Sequence, residues 1–179
     1  MTIPDEPTCV ALMSKYQTPH HIVRHCFMVW TVAQVIGSAM TQRNHPMDME
    51  LLKAACLLHD IGKYPCILEG NRYHDRKGKE MLEEEGYPEV ASIVGRHVNL
   101  AETDGEPLGE AHVLFYADKR VNHDELVSLE QRFDYLFKTY AKTPYATERL
   151  NEMKRDTRRL EERIFLLLDF EPDCLASLI

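Results

Sequence analysis

At 179 residues the chain is long enough for one domain of ordinary size with a buried core, and its net charge is −8. A composition that is 44% hydrophobic and 28% charged is that of a globular protein. The acidity excludes general attraction to a nucleic-acid backbone as its main business, although a phosphate-bearing small molecule can still bind where cations are gathered locally.

The N-terminal stretch "MTIPDEPTCV" has no basic segment ahead of an apolar run, so no signal peptide is expected. No run approaches 18 consecutive apolar residues, and no membrane span is expected. The five cysteines (Cys9, Cys26, Cys56, Cys66 and Cys174) are odd in number and form no C-x-x-C pair, which argues against a disulfide framework or a zinc knuckle. A reducing compartment and a cytoplasmic location follow as expectations.

Helical periodicity dominates from end to end. A short first helix is expected over Thr8 to Tyr16. A long one follows from His20 to about Met40, with Ile22, Cys26, Val29, Val32, Ala33 and Ile36 on one face. Asp48 is a suitable N-cap for a helix from Met49 to about Ile61, whose "LLKAACLLHDI" is apolar nearly all round and therefore central to a bundle. "KYPCILEGNRYH" reads as a loop with turn points at Pro65 and Gly70. Helices are then expected over His74 to Glu85 and Pro88 to about Val98, the second opened by its proline.

After the loop "LAETDGEPLG" come helices from Glu110 to about Val121 and from His123 to Tyr140, and Pro144 opens a last one to about Leu168. In that last helix Leu150, Met153, Leu160, Ile164 and Leu167 share a face interrupted by Thr157. Packing on the bundle is the plainer account of that face, and a homodimer contact is the other. Its charged face mixes acids and bases, as solvated faces do. No stretch alternates like a strand, so the class is an all-α bundle forming a single domain.

Six metal-binding side chains lie along this frame: His25, His59, Asp60, His74, His97 and Asp118. An adjacent His-Asp pair means little alone, since nine histidines and eleven aspartates produce about half a pair by chance. Context separates the three pairs present. Asp60 ends an apolar helix, where a carboxylate costs several kcal/mol unless a cation accompanies it. His74-Asp75 and His123-Asp124 stand at polar junctions, where Asp75 and Asp124 suit helix N-termini. Adjacent helical residues point about 100° apart, so His59 and Asp60 can approach one ion from neighbouring directions, or Asp60 can bridge two.

"HIVRHCFMVWTVA", "ELLKAACLLHDIGK", "YHDRKGKEML", "IVGRHV" and "LFYADKRVNHD" resemble the successive motifs of the HD superfamily of metal-dependent phosphohydrolases. The resemblance covers about residues 20–124 as a metal-binding core, leaving 125–179 as C-terminal helices that pack on it or form an oligomer contact. It implies His25, His59, Asp60 and Asp118 as core ligands, with His74 and His97 as the additional ligands of members that hold two metals, and Asp60 bridging. It also implies Asp60 and Lys63 as the catalytic residues.

Imidazole and carboxylate donors suit one or two divalent ions of Mn, Fe, Co, Ni or Zn, and the lack of a cysteine ligand argues against a structural thiolate zinc site. Lys63 is the first candidate for a phosphate contact, with Arg96, Lys119 and Arg120 as further ones. Arg120 could equally pair with an acid on the following helix. Arg72, Arg76 and Lys77 lie in or beside a loop that could close over substrate. His20, His21, His45, His112 and His123 fall outside the pattern and are expected at the surface or behind the ligands.

The expected activity is hydrolysis of a phosphoester or phosphoanhydride of a small, nucleotide-like substrate through a metal-activated water, with no extended nucleic acid and no membrane as partner. Two other readings stand beside it. One is a nucleotide-sensing module without turnover. The other is a di-iron oxygenase of the same fold.

Overall fold

Short capping signals delimit several of the elements in the computed structural model, which describes residues 2–100 and 107–179. Helix α1 (Glu6–Lys15) begins where the Asp5 carboxylate accepts from the Thr8 N–H at 2.9 Å. Helix α2 (His20–Gln42) follows, and α3 (Met49–Leu58) starts where Asp48 accepts from the Leu51 N–H at 3.0 Å. Each such cap is worth about 1 kcal/mol. By length and composition α2 could cross a membrane, a test that the core helix of a globular bundle also meets. Its stripe of Ile22, His25, Cys26, Val29, Val32, Ala33 and Ile36 is instead buried in the bundle.

The stretch expected to be a loop after the His-Asp pair contains helix α4 (Lys63–Glu69). Pro65 was read as a turn point, but it sits in the first turn, where no N–H is needed for the helix ladder. Gly70, at φ 66°, closes that helix in the left-handed region. Helices α5 (His74–Glu84) and α6 (Pro88–Val94) follow, and α6 ends four residues short of expectation, turning so that His97 faces inward. The loop expected after it falls in part on residues 101–106, outside the described residues.

Helix α7 (Glu110–Lys119) is buried along nearly its whole length. The helix expected to begin at His123 does not. Val121–Asn122 (β1) and Glu125–Leu126 (β2) form a short antiparallel hairpin, and α8 runs over Leu129–Tyr140. Two local features decide this. Residue His123 has φ 56°, which a right-handed helix does not admit. Ser128 and Gln131 form a reciprocal capping box that fixes the helix start behind them.

Helix α9 (Pro144–Phe165) is capped by Thr143, and a 3₁₀ turn at Pro172–Cys174 leads into α10 (Leu175–Leu178). Thr157 does not break the face of α9: it is fully buried and its hydroxyl donates to the Met153 carbonyl at 2.7 Å. Leu160 and Ile164 on the same face are also fully buried, and α9 packs on α7 and α8 within the chain.

The bundle is built around α2, α3 and α7, each of which packs on the other two. Leu52, Leu57 and Leu58 of α3 are fully buried, and burial of such a side chain is worth about 1.5–3 kcal/mol. Helix α6 lies on α3 and carries α5 with it. Outside the hairpin the described residues hold no strand, so the all-α class stands.

Candidate metal centre

Five separate elements bring their chemistry-bearing side chains to one buried point. His25 comes from the middle of α2 and Asp118 from the last turn of α7. His59 and Asp60 lie in the turn after α3, His74 opens α5, and His97 follows α6. All six residues expected as ligands therefore converge. His25, His59, Asp60, His97 and Asp118 are buried, and His74 is the most exposed at 22% of its side chain.

Asp60 is the centre of the arrangement. Its Oδ2 lies 3.4 Å from His59 Nε2 and 3.8 Å from His25 Nε2. Its Oδ1 lies 3.4 Å from His74 Nε2 and 3.6 Å from His97 Nε2. Each oxygen thus faces its own pair of imidazoles, and the donor atoms form two triads, His25-His59-Asp60 and Asp60-His74-His97. Asp118 Oδ1 completes the first, 3.0 Å from His25 Nε2 and 3.7 Å from His59 Nε2. Donors that share an ion at 2.0–2.2 Å lie about 3.0–3.4 Å apart, close to these separations. The His74 and His97 Nε2 atoms, 3.2 Å apart, fit the same rule.

The ring orientations are set from behind. His25 Nδ1 donates to the His123 carbonyl at 2.7 Å, His59 Nδ1 to that of Cys56 at 2.8 Å, and His97 Nδ1 to that of Val94 at 2.7 Å. A carbonyl only accepts, so each Nδ1 carries a proton and each Nε2 is turned into the cluster. His59 Nε2 is buried with no hydrogen-bond partner, as expected of an atom directed at an ion. The donor set and its geometry fit divalent cations.

Electrostatics agree. Burial alone would raise the pKa of Asp60, but the charges of Lys63 and His59 outweigh it and hold the carboxyl well below the usual range. Burial likewise opposes ionisation of Asp118, and Lys119 with His25 outweighs it. For His59, burial favours the neutral ring while Asp60 raises its pKa well above the ordinary value, so the ion-free cluster holds a proton there. Burial, which outweighs the pull of Asp60, holds His74 down at about 4.

The lysines and arginines divide. Lys63 donates to Asp60 Oδ2 at 2.6 Å while 37% of its side chain remains exposed, which places its ammonium at the mouth of the site. Arg96 is half-buried beside His97 and has a partner of its own. Lys119, expected as a phosphate contact, is buried and committed: it donates to Asp118 Oδ2 at 2.6 Å and to the His97 carbonyl at 3.3 Å. Arg120 is not in the cluster. Its guanidinium braces α7 against the C-terminal segment through Tyr116 Oη at 2.6 Å, the Val127 carbonyl at 2.8 Å and the Pro172 carbonyl at 3.3 Å. It does pair with an acid, but with Glu161 of α9 at 3.6 Å and not with one on the following helix.

His20, His21, His45 and His123 are exposed as expected, whereas His112 is buried and accepts from the Gly109 N–H at the start of α7. Sequence reasoning missed the carbonyl of His123, because any residue supplies a carbonyl. It also missed Arg132 on α8, whose guanidinium lies 3.9 Å from Asp118 Oδ1.

Comparison with known proteins leads to the same place. A tRNA (cytidine(56)-2'-O)-methyltransferase of Picrophilus torridus is 28% identical over 146 residues, covering 74% of this chain and 40% of that protein. The Thermoplasma volcanium protein of the same name is also 28% identical over 146 residues, with 74% of this chain and 41% of that protein covered. An uncharacterized protein of Methanocaldococcus jannaschii is 32% identical over 89 residues, 49% of this chain and 51% of its own length. The chain thus spans about two fifths to one half of these relatives. Two of them are named for an activity on tRNA, an extended nucleic acid of the kind not expected as a partner here. No solved structure matches the chain. The family model described as the HD domain matches residues 22–123, which hold all six converging side chains, and the chain belongs to the HD domain family.

Proposed function

We propose that this protein is a metal-dependent phosphohydrolase acting on a phosphoester or phosphoanhydride of a nucleotide-like substrate. The observation that carries the reading is the split use of Asp60, one oxygen to each of two imidazole pairs. Divalent ions held there would supply Lewis acidity and an acidified water.

The chain's own groups do the rest. Backbone carbonyls hold the Nδ1 protons of His25, His59 and His97, so an incoming ion would meet their Nε2 atoms in fixed positions. His74 is neutral above about pH 4 and so presents an unprotonated ring across the physiological range. Lys63, with 37% of its side chain exposed, would offer its remaining ammonium protons to an arriving anion. Exposed Arg72 and Arg76 flank His74 and add local positive charge to an acidic protein.

The relatives' names favour a second, narrower reading, in which the phosphoester belongs to tRNA or to a fragment of it. Full-length protein loaded with Mn, Co, Ni or Zn and offered nucleotide monoesters, cyclic and linear diesters, dinucleoside polyphosphates and tRNA separates the possibilities. Release of phosphate or a nucleotide is expected. A nucleotide complex that stays intact for hours in the presence of the ion would overturn hydrolysis in favour of sensing, and oxygen consumption in its place would favour the oxygenase.

A further inference from the structure

The His25 side of the centre is held by groups that lie at or beyond the end of the family match at residue 123. Arg132, on α8, keeps only 12% of its side chain exposed. Its Nη1 donates to Asn122 Oδ1 at 3.0 Å, its Nη2 stands 3.9 Å from Asp118 Oδ1, and its guanidinium packs over the Tyr135 ring at 5.8 Å. Its Nε is buried without an acceptor. A buried guanidinium with an unused donor costs stability, so its place beside a ligand carboxylate calls for an account beyond packing.

Asn122 is the last residue before the tight turn of the β1–β2 hairpin. The next residue, His123, has φ 56°, and its carbonyl is the acceptor that fixes the tautomer of His25. The ring of His123 meets Tyr135 with centroids 5.4 Å apart, the ring over which Arg132 lies. Asp124 pairs with Arg24, the neighbour of His25 on α2, at 3.0 Å. Arg132 therefore reaches both supports of one half of the centre. It faces Asp118 directly and grips the hairpin that aims His25.

We infer that Arg132 is a positioning residue for the ion shared by His25, His59, Asp60 and Asp118, and not for the ion on the His74–His97 side. The inference rests on the reading of the cluster as a dinuclear metal centre. At 3.9 Å the guanidinium is beyond hydrogen-bond distance of Asp118, so it acts on that carboxylate through its charge and on His25 through the hairpin. A lysine keeps the charge but cannot fork between Asn122 and Asp118.

The test is a Mn²⁺ titration of the full chain followed by calorimetry, with circular dichroism to follow the fold. Wild type is expected to take two ions. In Arg132→Gln one of the two should weaken by about tenfold to a hundredfold, the range seen when partners behind a ligand are removed, and the other should keep its affinity. Arg132→Lys should fall between the two. Asn122→Ala should weaken the same ion less, and it carries the test if Arg132→Gln fails to fold. Two unchanged affinities in Arg132→Gln, or equal weakening of both, overturn the assignment while leaving the metal centre in place. A wild type that takes no ion overturns the metal centre itself, and the role of Arg132 with it.

Discussion

The two halves of the centre are built to different standards. His25, His59 and Asp118 come from or beside α2, α3 and α7, the helices that pack on one another through the core, and all three side chains are buried. His74 opens α5 and His97 follows α6, a pair of helices that lean on the core through α6. His74 is the most exposed of the six. A ligand on a packed helix moves only if the core moves, whereas one at a helix start moves with its loop. The inner half should therefore hold its ion more firmly, and the rim half should exchange its ion and adjust to substrate.

Asp60 is the one residue common to both halves, so Asp60→Ala should have the largest effect. Both ions should be lost and turnover should fall by more than about a hundredfold, the upper range for partners that merely support a ligand. Elemental analysis and phosphate release check it, and full activity in that variant would sink the assignment.

Next come the single-ligand variants that divide the halves. His74→Ala should leave one ion per chain, with its affinity within about threefold of wild type. His25→Ala should also lose one ion, and it should lower the melting temperature of the metal-loaded protein more, because an ion in the inner half would tie three mutually packed core helices together. Equal melting temperatures would break the comparison.

A subtler probe is Gly62. A Cβ built there would lie 2.3 Å from the His74 carbonyl oxygen and 2.6 Å from the Gly78 nitrogen, both backbone atoms. Gly62→Ala should cost about 1–3 kcal/mol of stability in a denaturant titration, the usual range for overpacking. It should also push the start of α5 outward, weakening the rim ion while sparing the inner one.

The smallest effect is on protons. Burial disfavours a charged His59, but Asp60 raises its pKa well above the ordinary value, so the ion-free protein carries a proton that an incoming ion must displace. Ion binding at pH 7 should release protons and tighten as pH rises, which calorimetry in buffers of different ionisation enthalpy would detect. In the ion-free protein the sign reverses. The stability that His59 contributes is full below its unfolded value, near 6.5, and is lost as pH climbs through the raised one. His74 works oppositely. Burial lowers it to about 4, so its contribution is lost as pH falls from about 6.5 toward 4.

Much of this was legible in the residues. Periodicity and caps such as Asp48 placed the long helices, and the apolar surroundings of His59-Asp60 and Asp118 marked them as more than surface charge. The Ser128 and Gln131 pair is equally readable as a helix start, against the helix expected from His123. Helix α4 was obscured because a proline in a first turn looks the same in sequence as one in a loop.

The sequence by itself determined the element class, the order of the six candidate ligands and the likeness to the HD family, because these depend on local periodicity and on residue types at set intervals. Only the tertiary structure decided which cationic side chains lie beside the cluster. Lys119 and Arg120 are neighbours on one helix, yet the first is spent on Asp118 and the second braces the C-terminal segment. Arg132 reaches the centre from outside every motif, and the carbonyl of His123 aims a ligand without any side-chain signal. The physical reason is that direction and distance between remote side chains depend on how helices pack, and a linear pattern holds no term for that.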